Sequence, residues 1–149
     1  EPLSEYLLIK HQCGLDNLEQ VKIEYESRNI EAEVLEFFNK PEEQIKWSDF
    51  VVSRAGALSL SEITSMKKGA LMIPLPNSID NHQYENAKKI EDMGMGILHE
   101  EDEDISYLTD KINEIIKDKK YINWKKNELT NHLNAANEIV KHIEEYLNK

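Results

Sequence analysis

The chain has 149 residues, with 18 basic against 29 acidic side chains and a net charge of −11. That balance opposes nonspecific attraction to nucleic acid or anionic lipid headgroups. One cysteine, Cys13, excludes an internal disulfide and fits a reducing, cytoplasmic compartment. The length suits a single domain over 1–149 that buries roughly 68–70% of its unfolded surface. The first residues show neither the basic start nor the apolar run expected of a signal peptide, and no stretch approaches the roughly 20 apolar residues that span a bilayer. Position 1 is Glu and an apolar run begins at Tyr6, as expected of a piece cut from a longer chain.

Apolar runs alternate with helical periodicity, which predicts βαβα order and an α/β, doubly wound, mostly parallel sheet. The first strand is expected at 6–12 (YLLIKHQ). A helix follows from about Asp16 to Arg28, with Leu18, Val21 and Tyr25 on one stripe and Asp16 as N-cap. A second strand covers 31–37 (EAEVLEF), and a short helix begins at Pro41, which suits a first helical turn. Strand 49–53 (DFVVS) leads into a helix from about Leu58 to Lys67. Strand 70–75 (ALMIPL) precedes a helix from about Asn81 to Met93 that Gly94 stops. A fifth strand is expected at 95–98 (MGIL). Gly94 and Gly96 follow a helix and lack a third glycine, so they carry no dinucleotide role. From about Asp104 the chain is helical and polar, ending in a stripe of Ala136, Ile139, Val140, Ile143 and Leu147 expected to pack on the domain flank.

Ligands of open parallel sheets bind beyond the carboxyl ends of the strands. Those positions hold HQCG (11–14), FFNK (37–40), SRAGALS (53–59) and PLPNSIDNHQ (74–83). Two adjacent aromatics in FFNK either wall a flat base or plug the sheet edge. The turn Arg54-Ala-Gly-Ala allows close backbone approach at Gly56, with free N–H groups at Ala57, Leu58 and Ser59 suited to phosphate. Glu62, in the same helix, offers two acceptors to the two donors of a ribose diol. A nucleotide has both groups. The plain alternative is that Glu62 complements the helix dipole, worth about 0.3–1 kcal/mol. Asp80, Asn81, His82, Gln83 and Asn86 suit sugar hydroxyls, or else Asp80 simply caps the helix.

Other chemistries find less support. The five histidines show no HExxH, and His11 with Cys13 supplies only two ligands where zinc needs three or four. No metal site is therefore expected. Neither a GxSxG elbow nor a Walker GxxxxGK[ST] occurs. The strands end in His-Gln, Phe-Phe and Ser-Arg, unlike the buried Asp of a response regulator.

HQCG at 11–14, EFF at 36–38, SDFVVSRAGALSLSEI at 48–63, IPLP at 73–76 and DNHQYENA at 80–87 occur together in an order that resembles the C-terminal, donor-binding half of the MurG family. The resemblance runs over nearly the whole chain. It implies a Rossmann-like half of a GT-B glycosyltransferase that completes lipid II in bacterial peptidoglycan synthesis by transferring N-acetylglucosamine from UDP-GlcNAc to a lipid-linked muramyl acceptor. It assigns Glu62 to the ribose diol and the backbone around Phe38 to the uracil edge. Arg54, Gly56, Ala57, Leu58 and Ser59 face the nucleotide and its diphosphate. His82 and Gln83 hold sugar hydroxyls, and Cys13 lies near the diphosphate. No metal or other cofactor is implied, and the full enzyme is expected on the cytoplasmic face of the plasma membrane.

The chain departs from that pattern at Cys13, where Ser or Thr is usual and a thiol is a poorer donor. Lys67-Lys68-Gly69 replaces a Gly-x-Pro turn. The resemblance places the domain's first strand, its glycine loop and the acceptor domain upstream of Glu1, so the isolated chain is expected to bind nucleotide weakly and turn over nothing. No carboxylate here is singled out as general base, and the catalytic residues are unassigned. The alternative is a noncatalytic nucleotide-sugar-binding subunit of a two-chain transferase; a small interaction domain without nucleotide is a third reading.

Overall fold

In the computed structural model, which describes residues 7–127, 140–141 and 143–146, all five expected strands form and helices alternate with them. Tyr6, at the head of the first expected strand, lies outside the described residues, as do Ala136, Ile139 and Leu147 of the terminal stripe. Val140 and Ile143 are helical and half exposed.

The chain divides into two units, Glu1–Trp47 and Ser48–Lys149. In the first, β1 (Ile9–Gln12), α1 (Leu18–Ser27), β2 (Ala32–Leu35) and α2 (Pro41–Trp47) succeed one another. β1 and β2 pair in parallel, with Ile9 opposite Ala32 and Gln12 opposite Leu35. Pairing continues past both strands, since Cys13 N–H donates to Leu35 O at 2.9 Å and Gly14 N–H to Glu36 O at 3.1 Å. The stripe of α1 is half-buried, and the Tyr25 hydroxyl lies 3.1 Å from His11 Nδ1. Burial pushes the Tyr25 pKa upward.

Asp16 does not cap α1. Its φ of 64° is left-handed, and Asn17 occupies the N-cap position without a side-chain cap bond. Asn17 Nδ2 instead donates to Cys13 O and Leu15 O, both at 3.0 Å. The tight turn after Gly14 takes both Asx residues for its own geometry, a use that competes with capping.

The second unit holds β3 (Phe50–Ser53), α3 (Ala57–Ser65), β4 (Gly69–Met72), α4 (His82–Asp92), β5 (Gly96–Leu98), α5 (Ile105–Lys117) and α6 (Lys120–Lys126). Its three strands lie in the order β3-β4-β5, both pairings parallel. All four residues of central β4 are buried, the pattern of a strand covered on two faces. Leu71 packs with Ile115 of α5 and Trp124 of α6. Ala70 and Met72 alternate to the opposite side, where α3 packs on β4 and α4 on β5. Asp104 caps α5, its carboxylate accepting the Ser106 N–H at 2.8 Å. Among the described residues no helix is long and apolar enough to cross a membrane.

Candidate functional site

The carboxyl end of the second unit's sheet is built from three loops. β3 runs through Ser53 and Arg54 into Ala55-Gly56, and Gly56 sits at the N-cap of α3 in extended backbone (φ −66°, ψ 136°) without any side-chain cap bond. Helix geometry leaves the first N–H groups without intrahelical acceptors. Among the described residues none of Ala57, Leu58 and Ser59 has one elsewhere, and all three are exposed. Ala55 is fully buried, and Asn86 Nδ2 of α4 donates to its carbonyl at 3.2 Å, which fixes the turn. Ser53 Oγ is buried without a partner among the described residues.

Glu62 stands in the second turn of α3, five residues beyond Ala57, and the first turn holds no acidic residue. Five residues are about 7.5 Å of helix, and dipole stabilisation fades within the first turn. The dipole account of Glu62 is weakened accordingly. Residues 58 and 59 lie four and three positions before Glu62, hence on the same face, and helical side chains lean toward the N-terminus. The exposed carboxylate, without hydrogen bond or ion pair among the described residues, lies on the face of α3 that it shares with Leu58 and Ser59.

Leu75–Asn81 forms the second loop. Asn77, Asp80 and Asn81 are all left-handed, with φ of 59°, 51° and 56°, a conformation Asx residues tolerate better than most. Asp80 does not cap α4, because Asn81 holds the N-cap position and makes no side-chain cap bond. Ser78 Oγ accepts the Gln83 N–H at 3.3 Å instead. Gln83 Oε1 accepts the Leu75 N–H at 2.9 Å, so this side chain braces the loop. His82 opens α4 and is exposed.

Residues 99–104 form the third loop. Arg54 Nη1 donates to Glu101 Oε2 at 2.6 Å, and Nη2 to Oε1 at 3.2 Å. Nη1 also lies 3.3 Å from both Ile73 O and Pro74 O. The bond to Glu101 raises the Arg54 pKa and lowers that of the carboxyl. Buried His99 places Nδ1 2.8 Å from Glu103 Oε2, and Lys111 Nζ lies 2.6 Å from the same oxygen. The Lys111 hydrogen bond is the largest cause holding the Glu103 carboxyl below its usual range.

Of the expected site residues, Arg54, Gly56, Ala57, Leu58, Ser59, Glu62, His82 and Gln83 belong to this unit. Cys13 and Phe38 belong to the first. There the Cys13 thiol is turned to the Leu35 carbonyl at 3.3 Å, and the Phe38 N–H donates to Gln12 Oε1 at 3.0 Å. The sequence reading singled out neither Glu101 nor Gln12 as a partner. An acidic run, HEEDED at 99–104, was the available sign of the first.

The family model of the glycosyltransferase family 28 C-terminal domain matches residues 2–144. A protein of Wolbachia pipientis subsp. Culex pipiens is 41% identical over 99 residues, 66% of this chain and 29% of that protein. One of Rickettsia bellii is 42% identical over 118 residues, 78% and 33% respectively. Both are named UDP-N-acetylglucosamine–N-acetylmuramyl-(pentapeptide) pyrophosphoryl-undecaprenol N-acetylglucosamine transferase. The crystal structure of Acinetobacter baumannii MurG superimposes with a TM-score of 0.74 at 26% identity, covering 80% of this chain and 35% of that one. The chain therefore spans about a third of the length of these relatives.

Proposed function

The chain belongs to the glycosyltransferase family 28 C-terminal domain family, and on that premise we propose that it is the donor-binding part of an inverting N-acetylglucosaminyltransferase of peptidoglycan synthesis. The donor is UDP-GlcNAc, and the acceptor is a polyprenyl-diphosphate-linked muramyl sugar engaged by the remainder of the full-length enzyme at the cytoplasmic face of the plasma membrane.

The observation that carries this reading is the uncapped N-terminus of α3, its amides at 57–59 open, with exposed Glu62 one turn further along the same helix. The free amides of Ala57, Leu58 and Ser59 take the diphosphate, where the helix dipole also favours negative charge. Glu62 accepts both ribose hydroxyls, and His82 and Gln83 take hydroxyls of the N-acetylglucosamine ring. Phe38 and Cys13, which the resemblance also assigns to the donor, belong to the first unit. The acceptor hydroxyl attacks the anomeric carbon and UDP leaves, its developing charge held by donors fixed in advance. No metal is assigned to that role.

Titration calorimetry with UDP tests the proposal. Binding of UDP to the chain, weakened by about 1.5–3 kcal/mol in Glu62→Ala as expected for charge-assisted bonds, supports it. No heat from the parent chain, or equal affinity in the variant, overturns it.

A further inference from the structure

Arg54 leaves the end of β3, yet its guanidinium does not stand free for an anion. Both η nitrogens are taken by Glu101, and one also reaches the carbonyls of Ile73 and Pro74 just beyond β4. One side chain thus joins the carboxyl ends of β3 and β4 to the loop after β5. Arg54 stands two residues before the N-cap of α3, in the turn that leads to the amides that receive phosphate in the function proposed above, on which this inference rests.

Glu101 is presented by a braced loop. His99 and Lys111 both hold Glu103, the Glu100 N–H donates to the same Glu103 Oε2 at 3.0 Å, and Asp104 is tied to α5. The carboxylate therefore has a fixed address, while the ion pair it makes remains cheap to break, since both partners are about half exposed (48% and 44%). Pairs of that kind contribute little and yield to competitors. A diphosphate is such a competitor, because the planar guanidinium fork accepts phosphate in the same bidentate manner as carboxylate.

The geometry points to Glu101 as a positioning residue that occupies the Arg54 guanidinium in place of the donor's diphosphate and must be displaced when the nucleotide binds. The pair then acts as a latch. Arriving diphosphate takes the guanidinium from Glu101, and departing UDP meets a carboxylate ready to take it back. Ligands without phosphate leave it closed, so the latch weakens the binding of diphosphate ligands alone and hastens product release.

Calorimetry at low ionic strength with UDP and with uridine, on the parent chain, Glu101→Gln, Arg54→Ala and the double variant, tests this. Glu101→Gln keeps the size and a hydrogen-bonding group but removes the charge. We expect it to tighten UDP by about 2–5-fold, the range set by an exposed pair. Uridine affinity stays unchanged, and the gain vanishes in the Arg54→Ala background. Unchanged or weaker UDP binding in Glu101→Gln overturns the latch. So does an equal gain for uridine, or a gain that persists without Arg54. The Glu62→Ala titration separates the two proposals: if it weakens UDP while Glu101→Gln fails, only the latch is lost.

Discussion

The two ends of the second unit's sheet are made from the same strands and differ in almost every physical respect. At the amino end, Gly69 and Gly96 open β4 and β5, and both are packed without room to spare. A Cβ on Gly69 would run into the Trp124 indole, and one on Gly96 would meet the Ala70 carbonyl at 2.6 Å. At the carboxyl end, the loops after Ser53, Met72 and Leu98 are largely exposed, the second carries three left-handed Asx residues, and polar contacts join them. Apolar packing around Trp124 fills one end, with the Asp49–Lys125 ion pair beside it; hydrogen bonds and ion pairs arrange the other and leave three amides open. The division lets the sheet hold a ligand site without staking its stability on it.

The sharpest way to break this comparison is at Trp124, buried against Leu71 and Ile115. Trp124→Ala is expected to cost about 3–5 kcal/mol of folding stability, read from urea unfolding. Gly69→Ala destabilises the parent chain through the clash, but in the Trp124→Ala background it adds little, because the indole is gone. A full additional cost in that background would show that Gly69 serves backbone geometry rather than the tryptophan.

Glu62→Ala is the matching change at the other end. Its expected loss of about 1.5–3 kcal/mol lies in UDP affinity, with the urea midpoint unmoved. A variant that lost stability in parallel would place Glu62 among the structural residues and erase the distinction between the ends.

Most of the scaffold was legible in the sequence because period-2 apolar runs and period-3.6 stripes alternate along it. The strands at Ile9–Gln12, Ala32–Leu35, Phe50–Ser53, Gly69–Met72 and Gly96–Leu98 all fall within or at the edges of their expected ranges. The caps were not. Asp16 and Asp80 are residue types that serve a helix N-cap and a left-handed turn equally well, and local pattern does not choose between those uses. Contacts far apart along the chain were also out of reach. Glu101 lies 47 residues from Arg54, and nothing near Gly69 announces that an indole from α6 will lie on it. The sequence reading treated Lys67-Lys68-Gly69 only as a substituted turn, whereas Gly69 proves to be a packing site.

That turn supplies a smaller test. At the end of α3, Lys67 N–H donates to Thr64 O at 2.9 Å and Lys68 N–H to Ile63 O at 3.1 Å, the paired bonds of a Schellman motif. The same pair closes α4, where Gly94 N–H meets Glu91 O and Met95 N–H meets Ile90 O. Gly94 sits there at φ 67°, and Lys67 adopts φ 56° with a full side chain. The left-handed conformation costs a non-glycine residue about 1–2 kcal/mol, and glycine returns roughly 0.5–1 kcal/mol of that as unfolded-state entropy. Lys67→Gly should therefore stabilise the chain by about 0.5–1 kcal/mol, a rise of a few degrees in Tm at this size. UDP affinity should not change, since the turn lies at the amino end.

The smallest expected effect is electrostatic and is read at the loop after β5. The carboxyls of Glu101, Glu103 and Asp104 are all held below their usual range, first by hydrogen bonds from Arg54, Lys111 and Ser106 respectively. A carboxyl with a depressed folded pKa contributes stability that is complete above its unfolded pKa and is lost as pH falls through the folded one. Acid below the ordinary carboxylate range should thus erode stability through this loop, while the Gly69–Trp124 contact, carrying no charge, stays indifferent. Urea midpoints of the parent chain and of Glu103→Gln, compared between neutral pH and about pH 3, isolate the contribution. The two should differ most near neutrality and converge in acid, by a margin that added salt reduces because the partners are partly exposed. A gap that widens on acidification would mean that Glu103 is more basic in the folded chain than in the unfolded one, and its contacts with Lys111 and His99 could then not be what braces the loop carrying Glu101.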